Sequence, residues 1–157
     1  MAYFTEYPSP IGPLVLVSDG AALTGLWMES QNFDCSELPK RDHLPVFNAA
    51  RLWLDNYFAG QPREVDFPIF PVGTAFQQRI WEILLAIPYG KTTTYGAIAK
   101  QLGKKMSPQA VGQAVGRNPI GIIIPCHRVV GTKGQLTGYA GGLENKKWLL
   151  RHEEETK

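Results

Sequence analysis

A cysteine, a histidine and an arginine stand side by side at positions 126 to 128, inside the stretch GIIIPCHRVVG. A thiol becomes a nucleophile when cationic neighbours lower its pKa or a positioned base takes its proton, and His127 and Arg128 offer both kinds of neighbour. An apolar run and Pro125 precede the trio and two valines follow it, which reads as a buried strand that stops, exposes three polar groups and turns back into the core. Adjacent side chains of an extended chain point to opposite faces, so His127 reaches the Cys126 sulfur only through a bend at the proline or a bridging water. A histidine base also needs a partner for its second ring nitrogen. Glu153, near the acid-rich end of the sequence, is the candidate, although Glu153 to Glu155 alone would read as a solvated tail. The plain alternative is a small inert core cysteine. That suits Cys35, which has polar neighbours and no base nearby in sequence. At Cys126 the proline before it and Arg128 after it argue the other way.

The surroundings of the trio are basic. Residues 1–70 carry four Lys/Arg against nine Asp/Glu, whereas residues 71–157 carry twelve against five. No acidic residue occurs between Glu82 and Glu144, a gap that holds Lys91, Lys100, Lys104, Lys105, Arg117, Arg128 and Lys133. A basic half that also contains the thiol suggests a polyanion partner, the bland alternative being a solvated basic surface. Two distant cysteines make no disulfide framework, so a reduced, cytoplasmic setting is expected. Zinc-ligand spacing, a membrane-length apolar run and a signal-peptide pattern are all missing from the sequence.

Several elements must position these residues. LVLVSDGAALTGLWM predicts a hairpin around Ser18-Asp19-Gly20, and LPVFNAARLWLDNYFAG a helix stopped by Gly60. REVDFPIFPVG predicts a short strand, followed by a boundary near Pro71 to Gly73. Thr74 and Gln77 form a capping-box pattern ahead of the apolar stripe Phe76, Ile80, Ile83, Leu84 and Ile87, which Pro88-Tyr89-Gly90 closes. Thr94 caps a short helix from Tyr95 to Leu102, with Gly103 as its stop. Ser107-Pro108 starts another that runs to about Arg117. Two short helices about a lysine-bearing turn predict a helix-turn-helix, a pattern shared with helical hairpins that bind nothing. After the glycine-rich TKGQLTGYAGG, a last helix carries Trp148, Leu149 and His152.

IPCHRVVG followed by GYAGGLENKKWLLRHE, with FQQRIWEILLAIPYGKTTTYGAIAK and AVGRNPIGIIIPCHR ahead of it, resembles the O6-alkylguanine-DNA alkyltransferases (methylated-DNA–protein-cysteine methyltransferases). The resemblance is close from about Thr74 to Glu153 and weak in the N-terminal half. It implies a ribonuclease H-like α/β domain over residues 1–72, a small antiparallel sheet with a helix. A mostly α domain over 73–157 would carry the helix-turn-helix. It implies single-turnover repair, in which an alkyl group passes irreversibly from O6-alkylguanine, and from O4-alkylthymine, to Cys126 after base flipping. His127 would be the water-mediated base, Glu153 its orienting carboxylate, Asn118 the brace of the cysteine loop and Tyr95 the donor to guanine N3. Backbone groups of Cys126, Val129 and Ala140 would read the base, with Tyr139 and Gly141 in the pocket wall. Thr94, Ser107, Gln109, Ala110, Gln113, Arg117 and Arg128 would contact DNA. The implied partner is double-stranded DNA, entered by a monomer through the minor groove, with no membrane, cofactor or metal.

That chemistry is physically coherent. The target oxygen is locked in a base pair, so reaction requires extrusion of the base. A thiolate then attacks a saturated carbon in line, and guanine leaves more readily when protonated. The thioether product has no residue placed to cleave it. The family often has an arginine finger where this sequence has Gln109, and some members hold a zinc for which no ligand set is present here. Three alternatives stay open. A damage-binding relative without transfer would replace the cysteine; a cysteine hydrolase would need an oxyanion hole; a plain helix-turn-helix regulator would not need PCHR.

Overall fold

Alternating apolar residues and two tight reversals build the N-terminal sheet. The computed structural model describes residues 1–103 and 105–157; Lys104, named above in the basic segment, lies outside the described residues. Strand β1 (Tyr3–Ser9) pairs antiparallel with β2 (Gly12–Ser18), and β2 with β3 (Leu23–Met28), in the order β1-β2-β3. The predicted hairpin is β2–β3, and its turn is tied by Asp19, whose carboxylate accepts from the Ala21 and Ala22 amides at 2.9 and 2.8 Å. Leu14, Leu16, Leu23 and Leu26 are buried beneath α1 (Pro45–Phe58), which presents Phe47, Ala50, Leu54 and Tyr57.

Two segments depart from the pattern expected of them. REVDFPIFPVG forms a single bridge instead of a strand, with Leu23 N–H donating to Pro68 O at 2.9 Å and Phe70 N–H to Leu23 O at 2.8 Å. Pro68 and Pro71 have no N–H with which to extend the ladder. The apolar run before Cys126 is likewise no strand. It is a series of turns in which Ile122 takes φ 66, and Cys126–Arg128 form one 3₁₀ turn. The three polar residues are buried, not exposed.

The remaining helices follow their caps. Thr74 and Gln77 bond reciprocally at the start of α2 (Ala75–Leu85). The hydroxyls of Thr94 and Ser107 accept from Ala97 N–H and Ala110 N–H, starting α3 (Tyr95–Leu102) and α4 (Pro108–Gly116). Helices α3 and α4 pack together as the two arms of the helix-turn-helix. The Trp81 indole of α2 donates to Ala114 O at 3.0 Å, locking α2 onto α4. Strand β4 (Thr93–Thr94) runs parallel to β5 (Val129–Val130), so the residues just after the 3₁₀ turn are bonded to those just before α3. Finally α5 (Leu143–Thr156) lies against α1: His152 Nε2 bonds Tyr57 O at 2.7 Å, and Trp148 stacks on His152 with ring centres 5.0 Å apart. No helix among the described residues is long and apolar enough to cross a membrane.

Candidate active site

Cys126 opens the 3₁₀ turn and is 8% exposed, while the next residue, His127, is wholly buried. The loop that presents them is spanned by Asn118. Its Nδ2 donates to Ile124 O at 2.8 Å and its Oδ1 accepts from Ile120 N–H at 3.0 Å. A main-chain carbonyl and amide inside a left-handed kink are thereby satisfied by one side chain.

Glu153 is the hub of the site. Helix α5 carries it inward, at 1% exposure, so it is no tail residue. Its Oε2 meets His127 Nε2 at 2.5 Å, the Tyr57 hydroxyl at 2.7 Å and Arg128 Nη2 at 3.2 Å; its Oε1 accepts from Arg128 Nε at 2.8 Å and from Gly90 N–H at 3.1 Å. Burial works against the carboxylate charge, but the hydrogen bonds from His127 and Arg128, with the Arg128 charge, outweigh it and hold the pKa at about 2. Gly90 sits at φ 74, and a side chain there would strike Lys157.

The carboxylate fixes the state of the imidazole. Burial lowers the His127 pKa, a drop that the bond to Glu153 only partly offsets, so the ring is neutral at neutral pH. An ionised Glu153 can only accept, so Nε2 carries the hydrogen and Nδ1 keeps its lone pair. That Nδ1 has no hydrogen-bond partner among the described residues. The imidazole is thus buried and neutral, with Nε2 bonded to Glu153 and an Nδ1 lone pair that can accept a proton once Glu153 balances the charge.

Arg128 is not placed for a DNA phosphate. It is 8% exposed, two of its nitrogens are held by Glu153, Nη1 donates to Ile87 O at 2.7 Å, and its guanidinium lies 5.5 Å from the Tyr89 ring centre. A buried carboxylate demands a cation, and Arg128 supplies it.

Burial is the largest influence on the thiol and raises its pKa; hydrogen bonding to Asn118, the Lys146 charge and the Tyr139 hydroxyl act in the opposite direction. Met28, Asn118, Tyr139, Ala140 and Gly141 close around Cys126, leaving a cavity of about 10 Å³, room for one water molecule. Gly141 is glycine for a steric reason, since a Cβ there would lie 2.2 Å from Met28 Sδ. The Tyr139 hydroxyl is buried with no hydrogen-bond partner among the described residues, and burial followed by the nearby thiolate charge raises its pKa well above normal. Tyr95, half-buried at the start of α3, donates to Thr137 O at 3.1 Å and so tethers the glycine-rich loop. Val129 is fully buried in β5, and Ala140 is exposed at the loop end.

The helix-turn-helix offers a separate surface. Gln109 and Gln113 lie on the exposed side of α4, with exposed Arg117 as its C-cap four residues on and exposed Ser107 and half-buried Ala110 at its start, while Val111, Ala114 and Val115 fill the buried side. Thr94 is half-buried, its hydroxyl spent on the cap of α3. Lys91, Lys100, Lys105 and Lys133 are exposed. Sequence reasoning missed two polar members of the buried cluster, Tyr57 and Lys146. Tyr57 reads as one more apolar position on its helix, and Lys146 as half of a solvated lysine pair.

A two-domain architecture, with a buried cysteine backed by a histidine–carboxylate pair and a helix-turn-helix beside it, defines a nucleophilic cysteine protein of DNA-binding type. The chain matches the family description 6-O-methylguanine DNA methyltransferase, ribonuclease-like domain, over residues 2–71, and the DNA binding domain of the same family over residues 75–155. It is 46% identical over 154 residues to the methylated-DNA–protein-cysteine methyltransferase of Haemophilus influenzae, covering 97% of this chain and 86% of that protein. The Methanosarcina acetivorans protein of the same name is 41% identical over 165 residues, covering 96% and 97%. Among solved structures, Mycobacterium tuberculosis OGT in complex with DNA superposes with a TM-score of 0.89 at 45% identity, over 98% of this chain and 94% of that one. The chain belongs to the 6-O-methylguanine DNA methyltransferase family.

Proposed function

We propose that this protein repairs DNA by moving the alkyl group of O6-alkylguanine, and of O4-alkylthymine, onto Cys126, once per molecule. The observation that carries the reading is the buried His127–Glu153 pair directly behind the only buried cysteine among the described residues. Helix α4 enters the minor groove of a duplex as a monomer, with Ser107, Gln109, Ala110, Gln113, Arg117 and Thr94 at the contact, and the exposed lysines meet phosphates. The lesion is extruded, and Gln109 holds the gap in the stack. A cavity that admits one water must widen for a purine, so residues 131–142 move aside as the base enters. Val129 and Ala140 then read the base through their backbone groups, with Tyr139 and Gly141 as wall.

In the transfer step His127 Nδ1 receives the thiol proton through a water. The sulfur lone pair forms the bond to the alkyl carbon as the carbon–oxygen bond breaks. The released pair stays on the purine, which takes a proton from Tyr95 and leaves as guanine, while Tyr95 regains a proton from solvent and His127 gives up the thiol proton to solvent. Glu153 keeps the imidazole oriented and balances its charge. Residues 1–72 act as the structural domain and 73–157 as the one that binds DNA and accepts the alkyl group.

The test compares the parent with Cys126→Ser on a duplex containing O6-methylguanine. The parent demethylates the duplex, and the variant binds it with parental affinity but leaves the methyl group in place. Demethylation by Cys126→Ser would overturn the assignment. Release of free methanol would favour a hydrolase instead.

A further inference from the structure

The buried region around Cys126 holds two cations among the described residues, Arg128 and Lys146, and they are balanced differently. Arg128 is paired with Glu153. Lys146, projecting from α5 at 0% exposure, faces no carboxylate among the described residues. Its Nζ donates to Thr137 O at 3.0 Å and lies 5.8 Å from the ring centre of Tyr95 and 6.0 Å from that of Tyr139. Those two rings give it a polarisable cage but no compensating charge. The ionisable groups around it are Tyr95 from α3, Tyr139 from the loop, and Cys126 and His127 from the 3₁₀ turn that α5 packs against. Both tyrosines stay protonated, because burial and the nearby thiolate charge raise their pKa values. His127 is neutral, as shown above. Cys126 lines the same small cavity as Tyr139, whose ring faces the Lys146 ammonium, and among the described residues it is the neighbour able to carry a balancing negative charge.

An ammonium buried without a counter-ion is costly, and burial accordingly lowers the Lys146 pKa. We propose that Lys146 is the counter-charge of the Cys126 thiolate, a positioning residue that acts on the transfer step through its field and touches neither substrate nor leaving group. This rests on Cys126 being the alkyl acceptor. Proton transfer to His127 in the reacting complex leaves a sulfur anion in the field of the Lys146 ammonium, which balances it as the alkyl carbon is attacked. Transfer converts the anion to a neutral thioether, and Lys146 is then left without its partner.

The experiment uses a Cys35→Ser background, so that Cys126 is the only thiol. Its ionisation is followed by thiolate ultraviolet absorbance across pH, with Lys146 intact, changed to Met, or changed to Arg. Lys146→Met preserves length and removes the charge. It is expected to raise the thiol midpoint by a unit or more, leaving about tenfold less thiolate below it. Lys146→Arg is expected to hold the midpoint within a few tenths. Single-turnover transfer by Lys146→Met falls at neutral pH, and the gap to the parent closes at pH values above both midpoints. An unmoved thiol midpoint in folded Lys146→Met overturns the proposal, whatever happens to the rate. If that variant does not fold, the unaltered lysine decides. Coupling between two sites is reciprocal, so complete methylation of Cys126 should lower the Lys146 midpoint read from its Nζ NMR signal. An unchanged midpoint overturns the proposal. Methyl found elsewhere than Cys126 would refute the acceptor assignment, while the thiol titration would still report on Lys146.

Discussion

Replacing Glu153 with glutamine takes the charge out of the buried hub. The carboxylate accepts from His127, Tyr57, Arg128 and Gly90, through five hydrogen bonds to its two oxygens. Glutamine offers one accepting oxygen, and its amide nitrogen would face groups that are themselves donors. Arg128 would be left charged and buried, a loss of about 3–5 kcal/mol when one partner of such a pair is removed. The acid equilibrium gives a similar figure. The pKa falls from an ordinary 4.5 to about 2 on folding, which at roughly 1.4 kcal/mol per pKa unit is on the order of 3 kcal/mol. A carboxyl with a depressed folded pKa contributes this stability in full above the unfolded value. The contribution is lost as pH falls from about 5 towards about 2. At pH 7 the Glu153→Gln protein should therefore melt about 6–12 °C below the parent, at 2–4 °C per kcal/mol for a chain of this size. In acid the two melting curves should converge. Calorimetry at neutral and acid pH measures both effects. A variant within about 2 °C of the parent at pH 7, or an undiminished gap at pH 3, would refute the reasoning that Glu153 is an ionised hub.

Other consequences can be checked independently. His127→Ala should slow single-turnover transfer by about 10²–10⁴-fold, the usual range for a lost general base, with DNA affinity at the parental level in a binding titration. Gln109→Ala should slow repair of duplex DNA while its rate on free O6-benzylguanine stays parental, because the free base needs no extrusion; equal losses would make Gln109 a pocket support. Duplex affinity should fall steeply with added salt and vary little with sequence, as the proposed phosphate contacts of the exposed cations require; a flat salt titration would contradict this. Asn118→Ala should lower stability and transfer together, because it frees Ile124 O and Ile120 N–H inside a buried loop.

What could be read from the sequence was local. The starts of α2, α3 and α4 are written in Thr74 with Gln77, in Thr94 and in Ser107-Pro108, because a cap bonds within its own first turn. The β2–β3 hairpin shows itself through Asp19-Gly20 for the same reason. Long-range burial left no such mark. Strand β1 hides behind Pro8, which an edge strand tolerates. The apolar run before Cys126 suits a buried strand or a buried turn equally, and only the kink at Ile122 separates them. Arg128 lies 25 residues from Glu153, so its charge reads as surface until the fold brings them together. Lys146 is hidden the same way, its surroundings drawn from α3, the glycine-rich loop and the 3₁₀ turn. The thiol and its relay were legible as residue types; the electrostatic setting that tunes them was not.

One sulfur is expected to accept one alkyl group and keep it. Incubating the protein with excess duplex carrying O6-methylguanine, then weighing the intact chain and its Cys126 and Cys35 peptides by mass spectrometry, tests it most directly. The expected result is a plateau at one methyl group per chain, all of it on the Cys126 peptide, with unmethylated guanine formed in equal amount. Continued demethylation beyond one equivalent, or methyl on Cys35 in place of Cys126, would contradict it.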